Sequence, residues 1–245
     1  MSWGNIGARP LVKSWTARDY VQDGLVAMWD GIENAGWGMH DANATVWTDL
    51  VRPIYAYKIK TVSSDLWESD SLLTSSNHNV GGNYDGGWYF ADVLPESEIT
   101  PDNKTFEAVV TIPSVTQSGG ALVTWCVATN GPLYLSTAWG YLRFTGGGTG
   151  NYGTDNNSLS IQEYVGTSWK GSLSIDTNVG ILYNNGVQAR NPFSFSSYGN
   201  AIYPFQIGNA GQTIKIHSVR VYSRALTASE IAANYAVDKL RFNLP

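Results

Sequence analysis

The sequence predicts an all-β protein, two antiparallel sheets stacked as a sandwich of about twelve strands and closed by one short helix. Three observations carry this expectation. Apolar and polar residues alternate along short segments such as "TFEAVVTI" at 105–112, and a period of two places every second side chain on one face. Turn-rich stretches separate these segments, without the strand–helix–strand rhythm that a parallel sheet requires. Charged residues make up 14% of the 245 positions and there are 26 glycines, a balance suited to many turns rather than many solvated helices.

Residues 1–24 read as a lead-in or attachment segment ahead of a single domain spanning 25–245. Within the lead-in, Thr16 stands three places before Asp19 and Gly24 follows as a stop, so one or two capped helical turns are expected. "LVAMWD" (25–30) is the first core strand. "GIENAGWGMHDANATVWTDL" (31–50) is rich in Gly, Asn and Asp and reads as a long loop with a short strand near Val46–Leu50. A further strand is expected over 52–59 and a short aromatic one at Trp88–Phe90.

In the strand at 105–112, Phe106, Ala108, Val110 and Ile112 share one face, and Thr105, Glu107 and Thr111 point the other way. "ALVTWCVA" (121–128) is apolar on both faces, as for a strand between two layers. It holds Cys126, the only cysteine, so no internal disulfide can form and the thiol reads as a small buried filler. Strands follow at "PLYLST", "YLRFT", "SLSIQEY" and "GSLSID". In "GILYNNGVQAR", Asn185-Gly186 supplies the positive φ angles of a tight type I′ hairpin. "PFQIGN" and "IKIHSVRVY" complete the set.

The closing segment "RALTASEIAANYAVD" encodes its own helix. Thr227 and Glu230 have the spacing of a capping box, and Leu226 with Ile231 that of a hydrophobic staple. Loss of the Thr227 cap is expected to cost about 1 kcal/mol. Ile231 and Tyr235, four apart, form an apolar stripe, for which the edge or rim of the sandwich is the expected partner.

At this point a resemblance becomes specific. "IHSVRVYSRALTASEIAANY" resembles the C-terminal signature of laminin-G-like, concanavalin-A-like jelly-roll domains, above all bacterial and phage ones: a strand I-D-x-V-R-I-Y, then N-R-A-L-T/S, then x-x-E-I. "ILYNNGV" resembles their L-Y-x-N-G hairpin, "FQIGN" their L-x-I-G-N strand, and "DGLVAMWDG" their first strand. The resemblance implies a jelly-roll order of strands. It leaves function open, since the fold hosts lectins, glucanases, adhesins and passive spacers. In many members the second residue of the last strand is an Asp that helps bind calcium; here it is His217, and a neutral imidazole is a poor ligand for that hard cation. Asp30, Asp41 and Asp49 remain candidate calcium ligands, set against ordinary Asx-turn and capping roles in a Gly-rich loop. No other cofactor is expected.

Several function classes are disfavoured. The formal net charge is −5 and Lys and Arg are scattered, which argues against a nucleic-acid partner. The longest unbroken apolar run, "LVAMW", is far short of the about 20 residues of a membrane helix. The first residues lack the ~7–15-residue apolar core of a secretory signal; a virion or extracellular surface is the favoured location. Retaining glucanases on this fold carry an E-x-D-x-x-E pattern with two carboxylates about 5 Å apart. "ENAGWGMHD", "DLWESD" and "ESEITPD" do not alternate in that way, and Glu107 and Glu163, in expected strands, have no acidic neighbour two residues away. "TGGGTGNYG" (145–153) lacks the Lys and following helix of a phosphate loop and reads as a hairpin tip.

Aromatic residues are the unusual inventory: ten Trp and fourteen Tyr. Trp29, Trp47 and Trp125 lie in apolar strand patterns and read as core. Trp37, Trp139, Tyr152 and Trp169 stand beside Gly or polar residues and are the candidate glycan contacts, with Asn151 and Asp155 as hydrogen-bonding neighbours. These residues point to a non-catalytic, lectin-like glycan-binding or adhesion module with no enzymatic role. A phage virion structural or decoration protein is the alternative, and an endoglucanase-type hydrolase is less favoured. Its expected partners are glycans or cell-surface polysaccharide, with residues 1–24 as a candidate attachment to virion or surface proteins. A shallow site with a dissociation constant near 1 mM provides only about −4 kcal/mol, so multimeric display is expected, where avidity adds factors of ~10² to 10⁴.

Overall fold

Seventeen strands, every pair of them antiparallel, and one α-helix account for the regular structure among the described residues. The computed structural model describes residues 15–52, 59–60, 66–73, 89–90, 103–113, 120–127, 133–138, 141–145, 158–160, 162–194, 202–207 and 213–245. The all-β, antiparallel class expected from the sequence is what the chain adopts. The strand number exceeds the expected twelve because several strands are two-residue fragments.

The first sheet has nine strands. Its long members are β1 (Leu25–Asp30), β7 (Lys104–Thr111), β12 (Ser168–Asp176), β13 (Val179–Asn184) and β17 (Lys215–Tyr222); β4 (Leu66–Trp67), β5 (Leu72–Leu73), β14 (Val187–Gln188) and β15 (Phe193–Ser194) extend it. β17 is the hub. It pairs with β7 along one side, while β5 and then β1 share the other. The second sheet runs β11 (Ser158–Ser160), β10 (Tyr141–Thr145), β9 (Leu133–Ala138), β8 (Gly120–Val127), β16 (Ile202–Ile207) and β6 (Tyr89–Phe90). β2 (Val46–Trp47) and β3 (Ile59–Lys60) form a small ribbon. Trp125 and Cys126 belong to the β8 backbone; their side chains lie outside the described residues.

Two local expectations are corrected. The segment "SLSIQEY" does not continue as a strand: a 3-10 turn forms at Gln162–Tyr164, so Glu163 stands on a turn. β12 begins at Ser168, earlier than "GSLSID" suggests, and draws Trp169 into the sheet. The Asn185-Gly186 hairpin forms as expected, with φ of 47° and 78°.

Alternation along the nine-stranded sheet makes two buried faces. Ala27, Trp29, Phe106, Ala108, Val110, Trp169, Leu173, Val219 and Val221 join one apolar cluster. Against the opposite face lies α1 (Ala228–Arg241), the only α-helix among the described residues. Its capping box is complete: Thr227 Oγ1 accepts the Glu230 N–H, and Glu230 Oε2 accepts the Thr227 N–H at 2.8 Å. Leu226 and Ile231 are buried together with Tyr183 and Tyr222. The helix lies over the face of the sheet near its β14 edge, against β14 and β12, and half-buried Tyr235 packs on Gly186 of the edge hairpin, the edge contact the sequence suggests. Asn234 and Asp238 turn inward, and their side chains reach Glu107 on β7 and Arg220 on β17.

Polar residues meet that inward face. Arg220 on β17 donates from Nη1 and Nη2 to Asp238 at 2.9 and 2.6 Å, and from Nε to Glu107 on β7 at 2.8 Å. Lys170 on β12 lies 2.6 Å from Glu107 and 3.2 Å from Asp238. Two cations thus face two anions, all four fully buried. Burial works against the Arg220 charge, but Asp238 and Glu107 outweigh it and raise its pKa; for Asp238, burial is likewise overcome, by Arg220 and Lys170, and its carboxyl is held below the usual range.

Residues 15–24 run along α1. Thr16 caps a 3-10 turn at Ala17–Asp19 in a capping box, close to the helical turn the sequence suggests. Tyr20 covers the Arg220 guanidinium 4.0 Å from its ring centroid and donates its hydroxyl to Asp238 at 2.8 Å. The Val21 N–H donates to Asn234 Oδ1 at 2.8 Å. Residues 1–14 lie outside the described residues. Among the described residues no helix is long and apolar enough to cross a membrane.

Candidate functional site

A surface pocket opens where the 3-10 turn meets the loop that follows β1. Its volume is about 440 Å³ and it is lined by Arg18, Gln22, Leu25, Trp37, Leu50 and Val51. Trp37 stands between Gly36 and Gly38, whose φ angles of 138° and 70° belong to the region that favours glycine. This turn holds the indole half-buried, one side resting on the cluster of Ala17, Tyr20, Met28, Leu50 and Val237. The exposed Arg18 guanidinium lies over the ring, 4.6 Å from its centroid, a cation–π contact.

Glu33 ties the two walls together. Its Oε1 accepts the Ala17 N–H at 3.1 Å, next to Arg18, and its Oε2 accepts the Gly38 N–H at 2.9 Å, next to Trp37. Arg241 from the end of α1 balances the charge, donating to Glu33 Oε1 at 3.3 Å and pairing with Asp30 at 2.8 Å. One buried carboxylate therefore fixes the spacing of Arg18 and Trp37. Gln22 Nε2 donates to the Tyr20 carbonyl at 2.9 Å, which orients its amide at the pocket wall.

The sequence-derived candidates separate. Trp37 lies in this pocket. Trp169 does not stand in a loop: it is fully buried on β12, 6.3 Å from the Tyr164 ring, because Ser168 to Ile175 pair with β7 and the alternation turns the indole into the core. Trp139, Asn151, Tyr152 and Asp155 lie outside the described residues. Arg18, Gln22 and Glu33 escape the sequence reading. The Thr16–Asp19 cap spacing locates Arg18 on a turn, but no local pattern brings it to Trp37.

The three candidate calcium ligands serve the loop's own architecture. Asp30 Oδ1 accepts the N–H groups of Ile32 and Glu33. Asp49 Oδ1 accepts those of Met28 and Val51, both at 2.9 Å. Asp41 Oδ1 accepts the Asn43 N–H at 2.8 Å. Burial pushes the Asp30 carboxyl up to about 6 against the pull of Arg241, and the Asp49 carboxyl up to about 6 against its two N–H donors. Among the described residues no three His, Cys, Asp or Glu side chains gather as a metal site. His217 is buried on β17 with Nε2 2.9 Å from Thr111 Oγ1 and Nδ1 3.5 Å from Asp70 Oδ2. It crosslinks β17, β7 and the turn before β5; the hydrogen bond from His217 holds the Asp70 carboxyl below its ordinary value.

Comparison with known proteins rests on the fold. No family model matches the chain, and no curated protein matches it. Among solved structures it is similar to Trypanosoma rangeli sialidase in complex with 2,3-difluoro-KDN, at 18% identity and a TM-score of 0.62, over 89% of this chain and 33% of the sialidase. The same enzyme with 2,3-difluorosialic acid as a covalent intermediate matches at 19% identity and 0.62, over 89% and 34%. The receptor-binding domain of botulinum neurotoxin D matches at 11% identity and 0.62, over 89% and 54%. The chain thus spans about a third of the sialidases and about half of the toxin domain. At these identities the likeness is one of fold.

These matches correct the functional reading. The sequence points to a non-catalytic lectin-like module, with a phage virion protein as the alternative. The structures that share its fold across 89% of its length include sialidases, which are enzymes. A missing E-x-D-x-x-E pattern excludes one placement of two acids on one strand; it is no ground for excluding an enzyme. The expectations of an inert binder and of a chain without enzymatic connection are both overturned.

Proposed function

We propose that this chain is a carbohydrate-engaging sandwich of a glycoside-processing enzyme of the sialidase kind, and that it meets the sugar at the Arg18–Trp37 pocket. The observation that carries this reading is the half-buried Trp37 indole, presented between two glycines at a pocket mouth. With Arg18 lying over the ring, the exposed part of the indole and the apolar wall beside it offer C–H contact to a sugar, and a few oriented polar groups supply specificity. The shared fold with a sialidase and with a toxin's receptor-binding domain supports the same direction. The pocket's groups are an indole, a guanidinium, an amide and three aliphatic side chains. They can hold a saccharide, but none is a carboxyl group, or a tyrosine of the kind sialidases use as nucleophile, that could protonate or attack a glycosidic bond. Their assigned role is engagement of the sugar. Display in several copies belongs to this reading, because an open pocket holding one sugar binds weakly by itself.

The test is a titration of the full chain with a panel of oligosaccharides, followed by ligand-observed NMR. Trp37→Leu keeps apolar packing and removes the ring. Binding should weaken at least about tenfold in this variant, the loss of roughly 1.4 kcal/mol. Unchanged binding in Trp37→Leu would remove the pocket from the function. Hydrolysis of a fluorogenic sialoside, measured in the same samples, separates engagement from cleavage.

A further inference from the structure

We propose that the chain carries a second site, a hydroxyl–imidazole–carboxylate relay of Thr111, His217 and Asp70 that cleaves small neutral carboxylic esters. It shares no residue with the Arg18–Trp37 pocket and does not rest on the reading of that pocket. His217 is the extra residue of a bulge in β17, where the register with β7 shifts between Ile216 and Ser218. A bulge re-aims a side chain, and here the imidazole meets Thr111. Its Nδ1 faces two acceptors, the Asp70 carbonyl oxygen at 3.3 Å and Asp70 Oδ2 at 3.5 Å. The ring proton therefore belongs on Nδ1, and Nε2 is left to accept the Thr111 hydroxyl at 2.9 Å. Ser168 Oγ lies 2.8 Å from Thr111 Oγ1 and 3.4 Å from Nε2. Donating to Thr111, it is a positioning residue for the nucleophile.

Burial and charge suit this chemistry. His217 is buried while Thr111 and Ser168 are half-buried, so a substrate can reach the hydroxyl and the base is shielded from water. Gly31 holds the other two parts together. Its N–H donates to the His217 carbonyl at 2.7 Å, and a Cβ there would meet the Asp70 carbonyl oxygen at 2.4 Å. Phe242 packs on the imidazole at 5.4 Å between ring centroids. Ser168 and Lys215 are the direct cross-strand neighbours of Thr111, and such pairs stand about 4.5–5.5 Å apart at Cβ. The half-exposed Lys215 ammonium, 2.8 Å from Glu68, is the cation placed to balance an oxyanion. Asp70 and Glu68 repel an anionic substrate, which favours a neutral ester. Thr111 Oγ1 attacks the ester carbonyl carbon as its proton passes to Nε2; the C–O bond to the alcohol breaks and the alcohol leaves with that proton. Water then gives a proton to Nε2 and attacks the acyl-threonine, releasing the carboxylic acid and returning the proton to Thr111. Asp70, a positioning residue, stabilises the imidazolium formed in each step.

The experiment treats the full chain with a fluorophosphonate, which phosphonylates an activated hydroxyl with loss of fluoride, and locates the adduct by peptide mass spectrometry. Hydrolysis of p-nitrophenyl acetate is followed in parallel. The adduct should fall on Thr111. Thr111→Val, close in shape, should lower kcat/KM at least about a hundredfold, the low end of a general-base contribution, and Thr111→Ser should retain hydrolysis. Asp70→Asn should slow the reaction and move the acidic limb of its pH–rate profile to lower pH, because the imidazolium loses its carboxylate partner. A merely structural role for Asp70 would leave that limb in place. Absence of an adduct on Thr111 in the wild-type chain, an adduct elsewhere in its stead, or undiminished hydrolysis in Thr111→Val would overturn the proposal. Should Thr111→Val fail to fold, the position of the wild-type adduct and the activity of Thr111→Ser decide the matter.

Discussion

The two faces of the nine-stranded sheet are built on the same strands and buried to the same degree, yet different forces hold them. In β7 the order is Phe106, Glu107, Ala108; in β17 it is Val219, Arg220, Val221; in β12 it is Trp169, Lys170, then Ser172 and Leu173. None of these side chains is more than 3% exposed. The inner set is held by removal of apolar area from water, which has no preferred direction. The outer set is held by ion pairs that must meet in register, because a buried charge without its partner is costly. Alternation therefore reports which side a residue takes. It does not report whether that side faces water or a helix.

The largest expected effect is on the charged face. Arg220→Ala leaves Glu107 and Asp238 buried with Lys170 as their one remaining cation, and should cost about 3–5 kcal/mol in urea unfolding. Replacing Glu107, Lys170, Arg220 and Asp238 by apolar residues of similar volume, together with Tyr20→Phe so that its hydroxyl is not left without Asp238, should cost less, since no unpaired charge remains, although the Asn234 amide loses an acceptor. A similar loss in both variants would mean that packing, not charge pairing, holds this face.

On the apolar face, Leu173→Ala should cost about 2–5 kcal/mol, through lost transfer energy and the cavity left behind. Its cost should be nearly independent of pH between 5 and 8. A strong pH dependence would erase the proposed contrast between the faces.

The smallest effect sharpens the comparison at the pocket loop. Asp30 and Asp49 have folded-state pKa values raised by burial to about 6. Groups shifted in that direction favour the folded state when protonated, and this contribution is lost as pH rises through about 6. Stability should therefore rise by about 1 kcal/mol per group from pH 7 to pH 5. Below about pH 4 it should fall again, as Asp70, Asp238 and Glu230, whose carboxyls are held low, become protonated. Asp49→Asn, which retains an oxygen for Met28 and Val51, should remove about half of the rise seen between pH 7 and 5 in thermal melts. An unchanged profile in that variant would show that Asp49 is not one of the groups responsible.

The cap at Thr227, the hairpin at Asn185-Gly186 and the turn capped by Thr16 were all legible in the chain, because each is a contact between residues only a few positions apart. Trp37 was legible as an aromatic in a Gly-rich turn. Its partner Arg18 and the bridging Glu33 were not, because their meeting depends on how residues 15–24 lie along α1. Trp169 misled for a related reason: its polar and glycine neighbours resemble a loop, but pairing with β7 extends the strand through them.

By itself, the order of residues determined what short-range chemistry can settle: antiparallel strands from a period of two, helix and turn ends from caps and positive φ angles, and the side of each strand a residue occupies. Tertiary structure alone decided what covers each side. It set α1 over Glu107, Lys170 and Arg220, and it brought an arginine from before β1 onto a tryptophan from after it. Such pairings join residues distant in sequence, and their energy arises only once desolvation has made each unpaired charge costly and each partner has been delivered by the fold.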